Sequence, residues 1–381
     1  STQKNTDLKM LMIEWSDELS IGIESVDEQH QKMVNMINAL KNAATETKDS
    51  TVTAQIFDGL TIYIEKHFAY EEALFEKYDF SKWGPLFRKV FNRSITIFVI
   101  GLLLNAFPFV RQDWDWSHFR VMGVLQRIAF AYFFASFIVA RSDIKRIVKI
   151  SVALLVGYWL LLSSYGWYTG LDPYALKSNL TLVVDSLIIG SNHLYGGMGI
   201  PFDPEGLLST IPTVVTVLIG FLVGTMIKTA QDHKDNAQRM AVLGALLIIL
   251  GWTWGFIFPI NKQLWTSSYV LYTGGIATLT LAGLVWIIDV RQNKTWAKPL
   301  VIFGSNSIFL FAASGLWTKT ILKIKFDLDG TLTSGYSYLY NTIFQPIAGD
   351  LNGSFLFALF HVFMFWFILA WMYRKKIYIK I

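Results

Sequence analysis

The sequence contains no cysteine. Disulfides, thiolate metal ligands and a cysteine nucleophile are therefore excluded, and no redox compartment can be read from it. Charge is also scarce, with only 16% of the 381 residues being Asp, Glu, Lys or Arg, and there are 6 histidines, few enough to weigh one by one. Against these shortages stand 53% hydrophobic and 15% aromatic residues, a balance too apolar for an ordinary soluble chain of this length. Part of the chain must be solvated by lipid. The formal charge of +5 does not point to nucleic acid, because the Lys and Arg residues sit at the ends of apolar runs, where headgroups and insertion rules account for them. No basic-then-apolar leader opens the sequence, so the N-terminus is expected to stay in the cytoplasm.

From Ile95 onward apolar runs recur at membrane length, over residues 94–110, 121–140, 147–166, 211–228, 240–259, 267–288, 299–316 and 355–373. Each approaches the roughly 20 residues a helix needs to cross the hydrocarbon core. The basic residues cluster in every second connection: Arg88, Lys89 and Arg93, then Arg141, Lys145 and Arg146, then Lys228, Lys234 and Arg239, then Arg291, Lys294 and Lys298, then Arg374 to Lys376. That alternation predicts cytoplasmic N- and C-termini and an inner (cytoplasmic) membrane location. The opposite connections, residues 111–120, 167–210, 259–265 and 317–354, are fringed by Trp114, Trp116, Trp167, Trp265 and Trp317, as an interfacial aromatic belt would be. Residues 1–85 differ: Val26 to Ala43 and Ile56 to Lys77 have apolar residues at helical spacing between polar faces, and Trp83-Gly84-Pro85 breaks the pattern. The fold expected is all-α: a small helical domain over 1–85 and a polytopic bundle of about eight transmembrane helices over 86–381.

In the polar domain His30 opens one helix, and His67 and Glu71, four apart on the next, project from one face. Two imidazoles and a carboxylate suit iron, manganese or zinc, while the plainer reading is a pair of partly exposed helical histidines. The strings Trp15, Gly22-Ile23, Asp27-x-Gln-His30 and His67-Phe-x-x-Glu71-Glu72 resemble the first two helices of bacterial hemerythrins, over about residues 10–80. The resemblance implies that His30 and His67 bind one iron of an oxo-bridged pair, with Glu71 bridging. It also implies further histidines on a third and fourth helix, where this chain instead has Leu86-Phe87-Arg88-Lys89-Val90 and enters the membrane. A complete di-iron site is not expected within one chain; His30, His67 and Glu71 make an incomplete iron site. A homo-oligomer whose neighbouring protomer supplies the missing helices is one way to complete the bundle.

Polar side chains at bilayer depth are costly, so each is a candidate for function. Arg120, Gln126 and Arg127 stand out, and Arg120 and Arg127, about two helical turns apart, lie near one face suited to phosphate or carboxylate groups or to a buried ion pair or carbonyl clamp. On a long outer loop His193, Asp203 and Glu205 bring a histidine and two carboxylates into a short stretch where general acid or base work could occur, though a lone His193 is more often a capping histidine. Asn261, Lys262 and Asn306 add polar groups near helix ends. The strings Arg120-x-x-Gly-Val-Leu-Gln-Arg-Ile, His193-Leu-Tyr195, Phe202-Asp-Pro-Glu-Gly206, Asn261-Lys-x-Leu-Trp265 and Tyr373-Arg-Lys-Lys-Ile resemble the heparan-α-glucosaminide N-acetyltransferase family and its bacterial relatives, over about residues 86–381. The resemblance implies transfer of an acetyl group from cytoplasmic acetyl-CoA, across the bilayer, to the amine of a glucosamine-type sugar. The family's earlier membrane helices carry its catalytic histidine ahead of a Trp-Asn-Gly string, and nothing in residues 1–93 matches them, so no catalytic residue transfers.

Three readings remain open: a membrane acyltransferase, active or degenerate; an iron- or dioxygen-binding module on a membrane anchor; and a chimera of two truncated proteins, since both resemblances lose residues near 80–86.

Overall fold

In the computed structural model the described residues are 14–16, 24–42, single or paired positions between 55 and 67, 83–109 and 116–379. Their regular structure is helical apart from one short hairpin, and all-α is the fold class observed. The contacts divide the chain into two units, Ser1–Leu86 and Phe87–Ile381.

In the first unit α1 runs over Glu24–Asn42, matching the span read from periodicity, and the described positions from 55 to 67 are helical too. The string Trp83-Gly84-Pro85, read as the break in the helical pattern of the first domain, opens α2, Trp83–Ala106. Proline is tolerated there because the first N–H groups of a helix have no intrahelical acceptor.

The second unit continues with α3 (Val124–Arg141), α4 (Ile144–Thr169), the short α5 (Leu180–Ile188), α6 (Thr210–Lys228), α7 (His233–Trp254) and α8 (Ser267–Val285), which runs on into a π-turn over Trp286–Val290. Next come α9 (Lys298–Ser305) and α10 (Ser307–Lys323), bent 69° against each other at Asn306. The chain closes with β1 (Lys325–Leu328), β2 (Thr331–Ser334), α11 (Gly335–Leu339), a π-turn over Tyr340–Phe344 and α12 (Gln345–Arg374). Local chemistry sets several of these ends. Asp143 caps α4 by accepting the Arg146 N–H at 2.9 Å, and Gly170, at φ 70°, closes the same helix in the left-handed region. Asn179 caps α5 through the Leu182 N–H at 2.8 Å.

Six helical stretches among the described residues are long and apolar enough to cross a membrane, or seven if the bent α9–α10 pair counts as one span. The protein is a multi-pass membrane protein, with slightly fewer qualifying spans than the eight expected. The helix over the first expected span, α2, is not among them; Arg88, Lys89, Asn92 and Arg93 fill its first half. The connection expected over 317–354 is largely structured, because α10 extends to Lys323 and Asp329-Gly330, both at positive φ, turns the chain from β1 into β2.

Helix α6 lies at the centre of this bundle, against α3, α4 and α8. Leu218 of α6 packs with Ala131, Ala135 and Ile147 in one cluster, and Val215 with Leu155 and Val270 in another. Large apolar side chains point outward, Val152 at 55% and Leu246 at 52% exposure among them, as a lipid-facing surface requires. Helices α7 and α8 meet backbone to backbone. A Cβ on Gly275 would stand 2.6 Å from the Ile248 nitrogen and 2.7 Å from the Gly244 oxygen, and one on Gly251 would meet the Tyr272 nitrogen and, at 2.7 Å, the Ser268 oxygen. Small residues permit this approach where no hydrophobic force draws helices together in lipid.

Candidate functional site

The site is built around one turn, residues 202–209, at the end of the bundle that carries the long Trp-fringed connections. Phe202, 1% exposed, anchors the turn in the apolar cluster of Tyr158, Leu162, Phe258 and Leu264. The Asp203 carboxylate accepts the Glu205 N–H at 3.0 Å, and the Gly206 N–H returns to the Asp203 carbonyl at 3.0 Å. Asp185, from α5, supports the turn from behind: its Oδ1 accepts the N–H groups of Leu207 and Leu208 at 3.0 and 3.2 Å. Its carboxylate lies where a Cβ on residue 206 would stand, so only glycine fits there. Burial pushes the Asp185 carboxyl up to about 6, against the lowering effect of the Leu208 and Leu207 hydrogen bonds, with the charge of Asp203 adding to the rise.

Both arginines singled out from the sequence grip this turn. Arg120 donates from Nε to Asp203 Oδ2 at 2.9 Å and from Nη2 to Asp203 Oδ1 at 2.8 Å, a two-point pairing, and Nη2 also reaches Glu205 Oε2 at 2.8 Å. Its guanidinium lies 4.6 Å from the centroid of the Tyr195 ring. Burial opposes the Arg120 charge, but hydrogen bonding and attraction from Asp203, then Glu205, outweigh it and raise the guanidinium above its ordinary value. Arg127 is 3% exposed and donates from Nη2 to the Pro204 carbonyl and the Ser209 hydroxyl, with the Trp265 ring centroid 4.8 Å away. Its Nε and Nη1 groups are buried without a hydrogen-bond partner among the described residues, as is Asp185 Oδ2. Charge nearly cancels: two arginines face Asp203 and Glu205, with Asp185 the odd carboxyl.

His193 joins the group through backbone. Its Nδ1 donates to the Phe119 carbonyl at 2.8 Å, and its own carbonyl accepts the Val121 N–H at 3.3 Å, so it holds the chain on either side of Arg120. Asn105 of α2 binds the Arg120 and Met122 carbonyls at 3.1 and 3.3 Å, and Lys319 of α10 donates to the Leu104 carbonyl. Arg120, Arg127, His193, Asp203 and Glu205 thus form one assembly. Exposure separates their roles: the Asp203 side chain is 0% exposed and the Glu205 side chain 21%.

The other predicted residues lie elsewhere. Gln126 is 1% exposed and packs against Gly101 of α2, where a Cβ would come within 2.5 Å of its Oε1; its Nε2 has no partner among the described residues. Asn261 accepts the N–H groups of Gln263 and Leu264 at 2.8 and 3.2 Å and so shapes the turn before Trp265, while Lys262 is exposed. Asn306 sits at the α9–α10 break and holds the C-terminal tail, donating to the Ile377 carbonyl at 3.0 Å and accepting the Ile379 N–H at 2.8 Å. Three participants were not singled out from sequence: Asp185, Ser209 and Tyr158, whose hydroxyl donates to the Leu264 carbonyl at 2.7 Å. Asp185 had a signal, a lone carboxylate in Leu180-Thr-Leu-Val-Val-Asp-Ser-Leu-Ile-Ile.

In the first unit the His30 and His67 rings meet edge to face, with centroids 4.8 Å apart. His67 is 2% exposed and its Nδ1 bonds Gln29 Oε1 at 2.8 Å, the kind of outer contact that orients metal-ligating histidines. Glu71 lies outside the described residues, and among the described residues no three His, Asp or Glu side chains gather for a metal. Among the described residues, these two imidazoles are the donors that fit one end of an iron site.

Comparison with known proteins returns the same two parts. Residues 21–86 match the model of the Hemerythrin HHE cation binding domain. Bacteriohemerythrin of Pseudomonas paraeruginosa is 35% identical over 23% of this chain and 58% of its own length, and that of Stenotrophomonas maltophilia is 37% identical over 18% and 44%. Heparan-alpha-glucosaminide N-acetyltransferase of Mus musculus is 26% identical over 78% of this chain and 50% of its own length; the Homo sapiens protein is 25% identical over 78% and 49%. The chain therefore spans about half the length of the curated transferases it matches. It carries a hemerythrin-type segment at its N-terminus and, over most of its length, is similar to heparan-alpha-glucosaminide N-acetyltransferase.

Proposed function

We propose that residues 87–381 are the membrane body of an N-acetyltransferase, moving an acetyl group from acetyl-CoA to the amine of a glucosamine-type sugar. The observation that supports it is the assembly of Arg120 with Asp203 and Glu205 beside His193, a charged, partly open cluster at one end of a lipid-embedded bundle. In the reaction the sugar nitrogen attacks the thioester carbonyl carbon. A C–N bond forms as the C–S bond breaks, the amine gives up a proton and the thiolate leaves. Of the cluster's titratable groups, Asp203 is fully enclosed and tied to Arg120, and Asp185 is closed behind the turn. That leaves His193 and Glu205 facing an acceptor. His193, with Nδ1 held by the Phe119 carbonyl, offers Nε2 to the amine proton, and Glu205 draws the cationic sugar in.

The test is acetyl-CoA consumption in membranes bearing the full chain, with glucosamine added. His193→Ala is expected to lower turnover about a hundredfold or more, the usual worth of a general base. Wild-type turnover in that variant, or no turnover in folded wild-type protein, would overturn this reading.

A second reading concerns residues 21–86 alone and rests on the His30–His67 contact. These two residues would hold a single iron weakly, with Glu71 as a third donor; the ion would supply redox and dioxygen chemistry. Metal analysis of protein purified without affinity histidines should find iron, lost on His67→Ala. Less than about a tenth of an equivalent in the wild type rules the site out.

A further inference from the structure

Between α2 and α3 runs an apolar groove that plays no part in the cluster just described. It encloses about 300 Å³, and its walls are five phenylalanines, Phe91 and Phe98 from α2 and Phe130, Phe133 and Phe134 from α3. The two helices run antiparallel, since Phe87 meets Phe133 with ring centroids 5.9 Å apart and, further along α2, Phe98 meets Phe130 at 5.6 Å. The start of α2 and the end of α3 therefore share one end of the groove. Each brings a cation to it. Arg88 is exposed and has no ion pair or hydrogen bond among the described residues, and Arg141 closes α3 with its guanidinium 4.1 Å from the Phe137 ring centroid.

Ser94 lines the groove less than two turns deeper than Arg88, about 9 Å along the helix axis. It is 7% exposed and the only polar residue lining the groove, and its Oγ has no hydrogen-bond partner among the described residues. Other helical hydroxyls of this bundle donate to the carbonyl one turn back, Thr96 to Asn92 and Ser151 to Ile147, both at 2.8 Å. Ser94 keeps its donor for something else. Water does not answer, because a buried water needs several polar partners and this groove offers one. A whole helix, about 10 Å across with its side chains, is too wide for the space.

We propose that the groove binds one anionic glycerophospholipid, with its phosphate on Arg88, an ester carbonyl accepting from Ser94 Oγ, and an acyl chain between the phenylalanine walls. Charge, ester and hydrocarbon follow one another along such a lipid in the order that Arg88, Ser94 and the phenylalanines follow along the groove. Arg93 is turned away, its guanidinium 5.1 Å from the centroid of Tyr132, which does not line the groove.

The experiment uses the full chain, delipidated in neutral detergent and titrated with phosphatidylglycerol, phosphatidylcholine and ether-linked phosphatidylglycerol, which lacks ester carbonyls. Phosphatidylglycerol should saturate a site that a photoreactive acyl chain maps to α2 and α3. Arg88→Gln should weaken it about fivefold, the worth of one surface cation at an anionic headgroup, and weaken zwitterionic phosphatidylcholine less. Ser94→Ala should weaken both ester lipids about fivefold, the worth of a hydrogen bond, and leave the ether lipid unchanged. Ile95→Trp, at a groove residue 46% exposed, fills the space from the lipid side and should abolish binding of all three. Arg93→Gln, which removes equal charge from the same helix, and Val152→Trp, which adds equal bulk on lipid-facing α4, should bind like the wild type. The proposal fails if no lipid saturates, if Ser94→Ala weakens ester and ether lipids equally, or if Ile95→Trp binds as the wild type does. A dimer in lipid-free detergent that Ile95→Trp dissociates would assign the groove to a second copy and overturn it as well.

Discussion

Replacing Asp203 by Asn tests whether the Arg120 clamp holds the cluster together. The change is isosteric, so no cavity opens, yet it withdraws a charge whose side chain is 0% exposed and sets an NH₂ group against one of the two Arg120 donors that now meet carboxylate oxygens. Breaking a buried pair by removing one partner costs about 3–5 kcal/mol. Glu205 remains bonded to Arg120, and Arg120 itself is 27% exposed, which trims the expected loss to about 2–3 kcal/mol. Glu205→Gln removes a single contact at a side chain 21% exposed and should cost nearer about 1 kcal/mol. Unfolding midpoints in neutral detergent titrated with a denaturing one give the comparison, with Arg120→Gln and Arg120→Gln/Asp203→Asn completing the cycle. The double variant should be more stable than the sum of the single losses predicts, by about 2 kcal/mol. Single effects that add to within about 0.5 kcal/mol, or a larger loss for Glu205→Gln than for Asp203→Asn, would refute the clamp.

The remaining predictions use the same unfolding measurement. Gly206→Ala drives a methyl group into the Asp185 carboxylate and should cost about 1–3 kcal/mol, and adding Asp185→Ser should recover part of the loss. Asp185 titrates near 6 in the folded chain and in the ordinary aspartate range when unfolded, so the folded state binds the extra proton between about pH 4 and pH 6. Its contribution to stability therefore falls as pH rises through that window, by up to about 3 kcal/mol. Asp185→Asn should flatten the profile there while keeping an acceptor for Leu207 and Leu208. Gly275→Ala should destabilise by about 1–3 kcal/mol because backbone atoms of α7 cannot yield, whereas Gly283→Ala, with nothing near its Cβ, should be neutral or slightly stabilising.

Much of this was legible in the sequence, and for physical reasons. Arg120 and Arg127 stood out because charge at bilayer depth needs a partner. The partners were visible as well, as Asp203 and Glu205, but they stand 83 and 85 residues from Arg120, and no periodicity links positions so far apart. Asp185 was passed over although its apolar neighbours marked it. The hairpin before α11 had its Asp329-Gly330 signal, hidden within what looked like one long connection. Asn306 was read as a polar group near a helix end; its work at the α9–α10 bend depends on a tail 71 residues further on. The helix spans were the most legible part, because length and hydropathy are local properties.

The glycine seam between α7 and α8 has a mechanical consequence. With backbone of one helix against backbone of the other at Gly244, Gly251 and Gly275, neither helix has room to slide or roll without its partner. The pair moves as one lever, and the tip of that lever is the turn carrying Trp265, at φ 50° and stacked on Arg127. Trp265 in turn donates to Thr216 of the central α6 at 3.2 Å. Any swing of the α7–α8 pair against α6 is therefore felt at the Arg127 guanidinium, some distance along the bundle from the glycines that stiffen the arm.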